Sequence, residues 1–302
     1  MPTVITLGDP LIELSKMDHT HYKQSIAGDT LNCAIYLKRT VPSIDVGYIT
    51  VLGKDRFSEQ MIDFFHEEGL DTSCIDYHDT RIPGLYIIDT QEGERSFTFW
   101  REKSAAKKLF ITDSLEKITE QMLQSDLIYL SAIVLAIMTP KGRKRLYKIL
   151  KKAKQKGVQI AFDSNYRPSL YKNKKEARAL NEKMLDFCDI YLPSLEDEKK
   201  LWGEVSAEDL IHNARKHGCH EVIVKNGKGS ILYLHEDFIR TLAIDPLENI
   251  VDSTSAGDSF NGTYLAHRFN GKSIKYAIKK ANQTAAKVIM YHGAIIPKDS
   301  DA

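Results

Sequence analysis

Residues 251–262 read VDSTSAGDSFNG. Three small residues, Ser255, Ala256 and Gly257, lead into Asp258. From there Phe260, Tyr264, Leu265 and Phe269 recur at helical spacing, and Gly271 stands where a helix C-cap belongs. Upstream, ENIVD (248–252) predicts a strand end, so the stretch reads as strand, small-residue loop, helix. The first amides of a helix have no partner within it, and with the helix dipole they favour an anion. A phosphoryl group in transfer carries spread negative charge that such amides stabilise. An aspartate at the rim could accept a proton from an attacking hydroxyl, or it could simply cap the helix.

The alternation of that stretch extends over the chain. VITLG, VGYITVLG, LIYLSAIVLAI, QIAFDSN, DIYLPS and EVIVKNG are strand-like runs. Amphipathic stretches such as DRFSEQMIDFFHEEG and TPKGRKRLYKILKKAKQKG lie between several of them. The pattern predicts an α/β fold with a mainly parallel sheet and helices on its faces. Such sheets bind ligands at the carboxyl ends of their strands. That directs attention to Asp163-Ser164-Asn165, Pro193-Ser194 and Lys225-Asn226-Gly227. Residues 84–101, GLYIIDTQEGERSFTFWR, break the alternation and predict a β-hairpin around a polar turn, Gln91 to Glu94. It would serve as a lid or as an antiparallel edge of the main sheet. In the basic stretch 141–156, Leu146, Ile149, Leu150 and Ala153 share one helical face, which leaves the lysines to solvent.

Composition narrows the classes further. The 302 residues are 42% apolar and 27% charged with a formal net charge of +1, ordinary for a soluble protein and without a field for nucleic acid or acidic lipid. The first residues, MPTVITLGDPLIEL, lack a basic leader, and Gly8-Asp9-Pro10 interrupts the apolar run. No stretch approaches the ~20 apolar residues of a membrane helix. Cys33, Cys74, Cys188 and Cys219 are scattered, which suits reduced thiols in the cytoplasm and gives no zinc spacing.

DSTSAGDSFNG resembles the C-terminal signature of the ribokinase-like (PfkB) sugar kinases, and AGDTLNCA (27–34) resembles their N-terminal signature. GDTLN, RIPGLYIIDT, GERSFTFWR, NYRP, LWG and GAIIP are similar to the deoxygluconate-kinase branch of that family. The resemblance covers essentially the whole chain. It implies one kinase domain over residues 1–302. The implied fold is a three-layer α/β/α sandwich with a mainly parallel sheet and a small β-sheet lid from about 10–26 and 82–102. The implied reaction is ATP- and Mg2+-dependent phosphorylation of 2-dehydro-3-deoxy-D-gluconate at its C6 hydroxyl, in the Entner–Doudoroff or hexuronate routes. Rivals within the fold would act on fructose, ribose or the galactonate epimer; a catalytically silent sugar-acid sensor is a rival from another class. Lid pairing in the family implies a homo-oligomer; no nucleic-acid or membrane partner is implied.

The resemblance also assigns roles. Asp258 would be the general base, with Ala256 and Gly257 beside it in the anion hole, and Asp252 would order the loop or the magnesium shell. Gly28, Asp29 and Asn32 would bind the sugar, Tyr86 would add a lid hydroxyl, and Arg101 and Arg167 would take the substrate's carboxylate. Asn165, Arg167, Lys225, Gly227, Gly229 and Ser230 would line the nucleotide with Ala256 and Gly257, and Asn282 would lie beside the adenine. The chain lacks a Walker A lysine pattern. It departs from the family at Ala27 and Ser255, each in place of glycine, and at Ser194-Leu195-Glu196-Asp197, in place of the NxxE magnesium motif.

Overall fold

A computed structural model describes residues 2–91, 94–227, 229–235, 237–244 and 250–301. The chain opens with β1 (Thr3–Leu7), β2 (Leu11–Lys16), β3 (Tyr22–Ala27), α1 (Asp29–Thr40), β4 (Asp45–Ile49), β5 (Val51–Leu52) and α2 (Arg56–Glu67). It continues through β6 (Asp76–Tyr77), β7 (Gly84–Gln91), β8 (Glu94–Trp100), α3 (Leu115–Gln124), β9 (Leu127–Ser131), α4 (Ala132–Ile137) and α5 (Pro140–Gln155). After these come β10 (Gln159–Asp163), α6 (Lys174–Leu185), β11 (Ile190–Tyr191), α7 (Leu195–Trp202), α8 (Ala207–Lys216) and β12 (Glu221–Val224). The last elements are β13 (Ile231–His235), β14 (Phe238–Leu242), α9 (Ala256–Phe269) and α10 (Ile274–Val288).

Eight strands form the large sheet in the order β14-β13-β12-β11-β10-β9-β1-β4. The pairings from β12 to β4 are parallel and the two outer ones antiparallel. Its central strands are buried on both faces, as continuous apolar runs require. On β9, Ile128 and Leu130 pack with α3, α5 and α8, whereas Leu127 and Tyr129 pack with α1, α2, α9 and α10. That period of two divides one sheet between two hydrophobic layers and yields the three-layer sandwich.

A second sheet has the order β3-β2-β7-β8. Its outer pairings are antiparallel and its central one parallel. The hairpin expected at 84–101 is β7 and β8, in register from Leu85↔Trp100 to Gln91↔Glu94; it belongs to this small sheet and not to the edge of the large one. Part of its turn, 92–93, lies outside the described residues.

Three expected strand boundaries differ. LIYLSAIVLAI is a strand only to Ser131 and then turns into the buried helix α4, because periodicity does not separate a buried strand from a buried helix. VGYITVLG splits at Thr50, and β5 pairs with β6 instead of joining the large sheet. No strand is present at 250–252, because the Val251 and Asp252 amides both donate to Ile289 O at the end of α10. The start of ENIVD, 248–249, lies outside the described residues. The basic helix behaves as expected: Leu146, Ile149, Leu150 and Ala153 are buried, and α5 begins at an N-cap, Thr139, followed by Pro140. Among the described residues no helix is long and apolar enough to cross a membrane.

Candidate active site

The carboxyl ends of β1, β9, β10, β11 and β12 open beside the N-termini of α1 and α9. Those two helices lie in close contact because Gly262 has no side chain. A Cβ there would stand 2.3 Å from Cys33 O and 2.9 Å from Leu37 N. This contact brings Asn32 to Asp258, 226 positions apart, with Asn32 Nδ2 donating to Asp258 Oδ2 at 2.8 Å.

Asp258 is the third residue of α9, and its carboxylate does not cap that helix. The N-cap is Ser255, which sits in the left-handed region at φ 64° and offers no side-chain bond to the first-turn amides. A glycine would adopt that conformation without a Cβ penalty; serine here bears it. Ala256 and Gly257 follow, and a Cβ on Gly257 would meet only Lys225 Nζ within 4 Å, at 3.7 Å. The result is an open anion cradle beside a cation. Asp252 lies at its base, Oδ1 accepting from Thr254 N at 2.8 Å and Oδ2 from Gly293 N at 2.7 Å.

Burial pushes the Asp258 carboxyl up to about 7, and the negative Asp29 nearby adds to the rise. Donation from Asn32 and the Lys225 charge oppose it. Asp29 opens α1 and accepts from Asn165 Nδ2 at 2.9 Å. Asn165 has φ 23° and donates its amide to Asp163 Oδ1 at 3.0 Å. Asp163, at the end of β10, accepts on Oδ2 from Lys225 Nζ at 3.0 Å and Asn261 Nδ2 at 2.6 Å. Asn261 closes the group, its Oδ1 accepting from Lys225 Nζ at 2.9 Å.

Gly28 is glycine for a reason the sequence did not disclose. A Cβ there would lie 2.9 Å from Asp9 O, where the turn between β1 and β2 passes the join of β3 to α1. Asp9 is the missed partner of Arg101, whose Nε and Nη2 both donate to Asp9 Oδ2, at 3.1 and 2.6 Å. Burial raises the Asp9 pKa against the pull of that guanidinium. Asp9 Oδ1 is buried without a hydrogen-bond partner in the structure. Tyr86 stacks on Phe99 at 5.4 Å and donates its hydroxyl to Glu13, a second missed residue, which also accepts from Ser25 Oγ at 2.9 Å. Burial, with the Glu13 carboxylate, drives the Tyr86 phenol well above its usual range. The signal for Asp9 was the Gly-Asp-Pro break at a strand end. The signal for Asn261 was its place three residues after Asp258, on the same helix face.

Arg167 donates to Asp197 Oδ2 at 3.1 Å and Tyr166 O at 3.0 Å, and its side chain is 48% exposed. Asp197 also faces Lys200 at 3.5 Å, so the carboxylate standing at the glutamate of NxxE is already doubly paired. Gly227 (φ 52°), Gly229 and Ser230 form the loop between β12 and β13, with nothing within 4 Å of a Cβ on Gly227; Lys228 of that loop lies outside the described residues. Asn282 is half-buried on α10, and among the described residues no hydrogen bond or ion pair joins it to this cluster.

Residues 4–301 match the family described as pfkB family carbohydrate kinase. The 2-dehydro-3-deoxygluconokinase of Escherichia coli is 40% identical over 98% of each chain. That of Dickeya dadantii is 39% identical over 98% of this chain and 97% of its own. Among solved structures, an Escherichia coli protein described as a ribokinase II, in complex with ATP and Mg2+, superposes with a TM-score of 0.84 at 23% identity, over 97% of this chain and 94% of that one. Motif and topology agree with these matches, and the chain belongs to the pfkB family of carbohydrate kinases.

Proposed function

We propose that the chain is an ATP-dependent kinase that phosphorylates the C6 hydroxyl of 2-dehydro-3-deoxy-D-gluconate, giving 2-dehydro-3-deoxy-6-phospho-D-gluconate for sugar-acid catabolism. The observation that carries the reading is Asp258, a carboxylate with a pKa near 7 in the first turn of an uncapped helix. A general base poised near neutral pH is most effective when it adjoins the groups that stabilise the transferring charge. The named substrate of the relatives identifies the acceptor as a sugar acid.

The roles follow from position. Asp258 takes the hydroxyl proton, and the amides at 256–258 hold the transferring phosphoryl group. Asp29 and Asn32 orient the sugar beside it. Arg101, above the Phe99 ring at 5.9 Å, and the more exposed Arg167 are the two cations for the substrate carboxylate. The small sheet acts as the lid, with Tyr86 on its inner face. The loop 225–230 lies along the nucleotide, and Asn282 is assigned to the adenine side. The open cradle at Gly257 beside Lys225 fits nucleotide phosphates. Magnesium bound with the nucleotide would supply charge neutralisation at those phosphates. Ser194 and the paired Asp197, which stand at the two polar positions of the NxxE motif, would be the chain's groups for orienting it. Four buried free cysteines suit a reducing cytoplasm.

The test is ADP release with ATP and Mg2+ on 2-dehydro-3-deoxygluconate, its galactonate epimer, fructose and ribose. Turnover confined to the sugar acids is expected, with loss of at least ~10³-fold in Asp258→Asn, in line with removal of a central catalytic group. Preference for fructose or ribose would remove the carboxylate reading and keep the Asp258 mechanism. Sugar-acid binding without ADP release would replace the kinase by a sensor.

A further inference from the structure

We propose that Lys225 supplies the chain's own positive charge to the transferring phosphoryl group, and that Asp163 and Asn261 are positioning residues that hold its ammonium at the α9 cradle. The proposal rests on the kinase reading above and deepens it. An ammonium has three N–H donors. Two are committed, to Asp163 Oδ2 at 3.0 Å and Asn261 Oδ1 at 2.9 Å. The third has no hydrogen-bond partner among the described residues, and Nζ lies beside the α9 cradle, where a Cβ on Gly257 would come within 3.7 Å of it. The Lys225 side chain is 12% exposed, so its charge acts through little water.

The clamp is fixed from behind. The Asn165 amide holds Asp163 Oδ1, and Asn261 Nδ2 bridges Asp163 Oδ2 to Tyr129 Oη at 3.1 Å. Three elements therefore meet on one ammonium: the end of β10, the end of β12 and the first turns of α9. A lysine that merely balanced buried Asp163 would need no opening toward the cradle. Asp29, Asp163 and Asp258 would oppose an incoming phosphate chain, and Lys225 offsets that field where the phosphate must come closest.

In the transfer, a lone pair of the acceptor hydroxyl oxygen forms the new bond to the γ-phosphorus. The bond from that phosphorus to the β–γ bridging oxygen breaks, and its electron pair leaves with ADP. The hydroxyl proton passes to an Asp258 carboxylate oxygen. Lys225 keeps its own proton and donates a hydrogen bond to a phosphoryl oxygen before and after the transfer.

The groups facing Asp258 make the test specific. Asp29 and Cys33 face it from α1, Asp163 and Arg167 from β10 and the segment after it, and Lys225 from β12. Tyr86 faces it from the small sheet and Tyr129 from β9. Steady-state rates would be measured from pH 5 to 9 for Lys225→Met, Asp163→Asn and the double variant, on whichever sugar the wild type phosphorylates. Lys225→Met should lower kcat by ~10²–10³-fold, as loss of one preorganised donor does, with the sugar KM within about 3-fold. Its acid limb should move to higher pH, because a cation beside Asp258 is gone. Asp163→Asn keeps the cation but loosens it; kcat should fall ~10-fold and the acid limb move to lower pH. The double variant leaves no unpaired buried charge, so it should fold with a Tm near wild type and remain as slow as Lys225→Met.

Recovery of kcat in the double variant to within about 3-fold of wild type would overturn the proposal, since a purely structural ion pair is dispensable once both charges are removed. An unmoved acid limb in both single variants would also overturn it. The two failures stay distinct: a wild type without sugar-acid turnover removes the substrate reading, whereas active Lys225 variants remove only this one.

Discussion

Asp258 and Asp29 face one another across the site, and the repulsion is part of what lifts Asp258 toward neutrality. Asp29→Asn should shift the acid limb of kcat/KM to lower pH, because Asp258 must be deprotonated to act as a base and loses one anionic neighbour. A pH–rate profile of the variant reads this directly; an acid limb at the wild-type position would contradict it. Ser255 bears a different cost. Its φ of 64° carries a penalty of about 1 kcal/mol that glycine escapes, so Ser255→Gly should raise Tm by about 2 °C in a melt. At this scale the sequence disclosed the residues whose neighbours are close in the chain, such as Ala256, Gly257 and Asp258. Asp9, Glu13 and Asn261 escaped because their functional partners lie far away. An Asp in a Gly-Asp-Pro turn has an adequate local explanation until Arg101 is seen to bind it.

The helix pair α1 and α9 positions Asp258, the proposed base, and Gly262 is where a side chain would push them apart. Gly262→Ala forces a methyl group against the Cys33 carbonyl and should cost ~1–3 kcal/mol, with a fall in kcat because Asp258 moves away from Asn32. Melting and turnover of one preparation test both parts. The join between β11 and α7 titrates. Glu198 is buried, accepts from Tyr191 Oη at 3.0 Å and Trp202 Nε1 at 2.7 Å, and burial pushes it up to about 7 from an ordinary 4.5. Between those values the folded chain binds the proton and the unfolded chain releases it. Stability should thus fall as pH rises through that window, by about 1.4 kcal/mol per pH unit at its steepest. Glu198→Gln, which can donate to Tyr191 and accept from Trp202, should flatten that slope in denaturant titrations from pH 4.5 to 8. Helices with one apolar face, such as α2 and α5, were legible from spacing. Ala132–Ile137 was not, because a fully buried helix has no polar face to show its period.

The proposed site is assigned where the chain crosses between the eight-stranded and the four-stranded sheet; β5 and β6 form a third, two-stranded sheet. The class of the large sheet was legible because both its faces are apolar; the joining of 10–26 to 82–102 in one small sheet came only from the family resemblance, since no local pattern specifies a pairing that spans about seventy residues. At the free edge of the small sheet, β8 exposes Phe97 by 45%, Phe99 by 46% and Trp100 by 55%. Such an edge can take a partner strand, and the homo-oligomer that the family resemblance implies would pair here. Sedimentation should give an oligomer for the wild type and a shift toward monomer for Trp100→Lys. A monomeric wild type would refute the pairing.

The connections between the sheets carry a mechanical consequence. The chain leaves the large sheet through Asp9, returns through Gly28 to Asp29, and ends the hairpin at Arg101. Asp29 and Arg101, at two of these crossings, are also residues proposed above to hold the sugar acid. On that reading the small sheet cannot swing without loosening its hold, so occupancy and closure are one coordinate. The measured affinity is then the intrinsic affinity discounted by the fraction of molecules already shut. A covalent staple across the two sheets would therefore register first as tighter binding, and would slow turnover only where product has to escape.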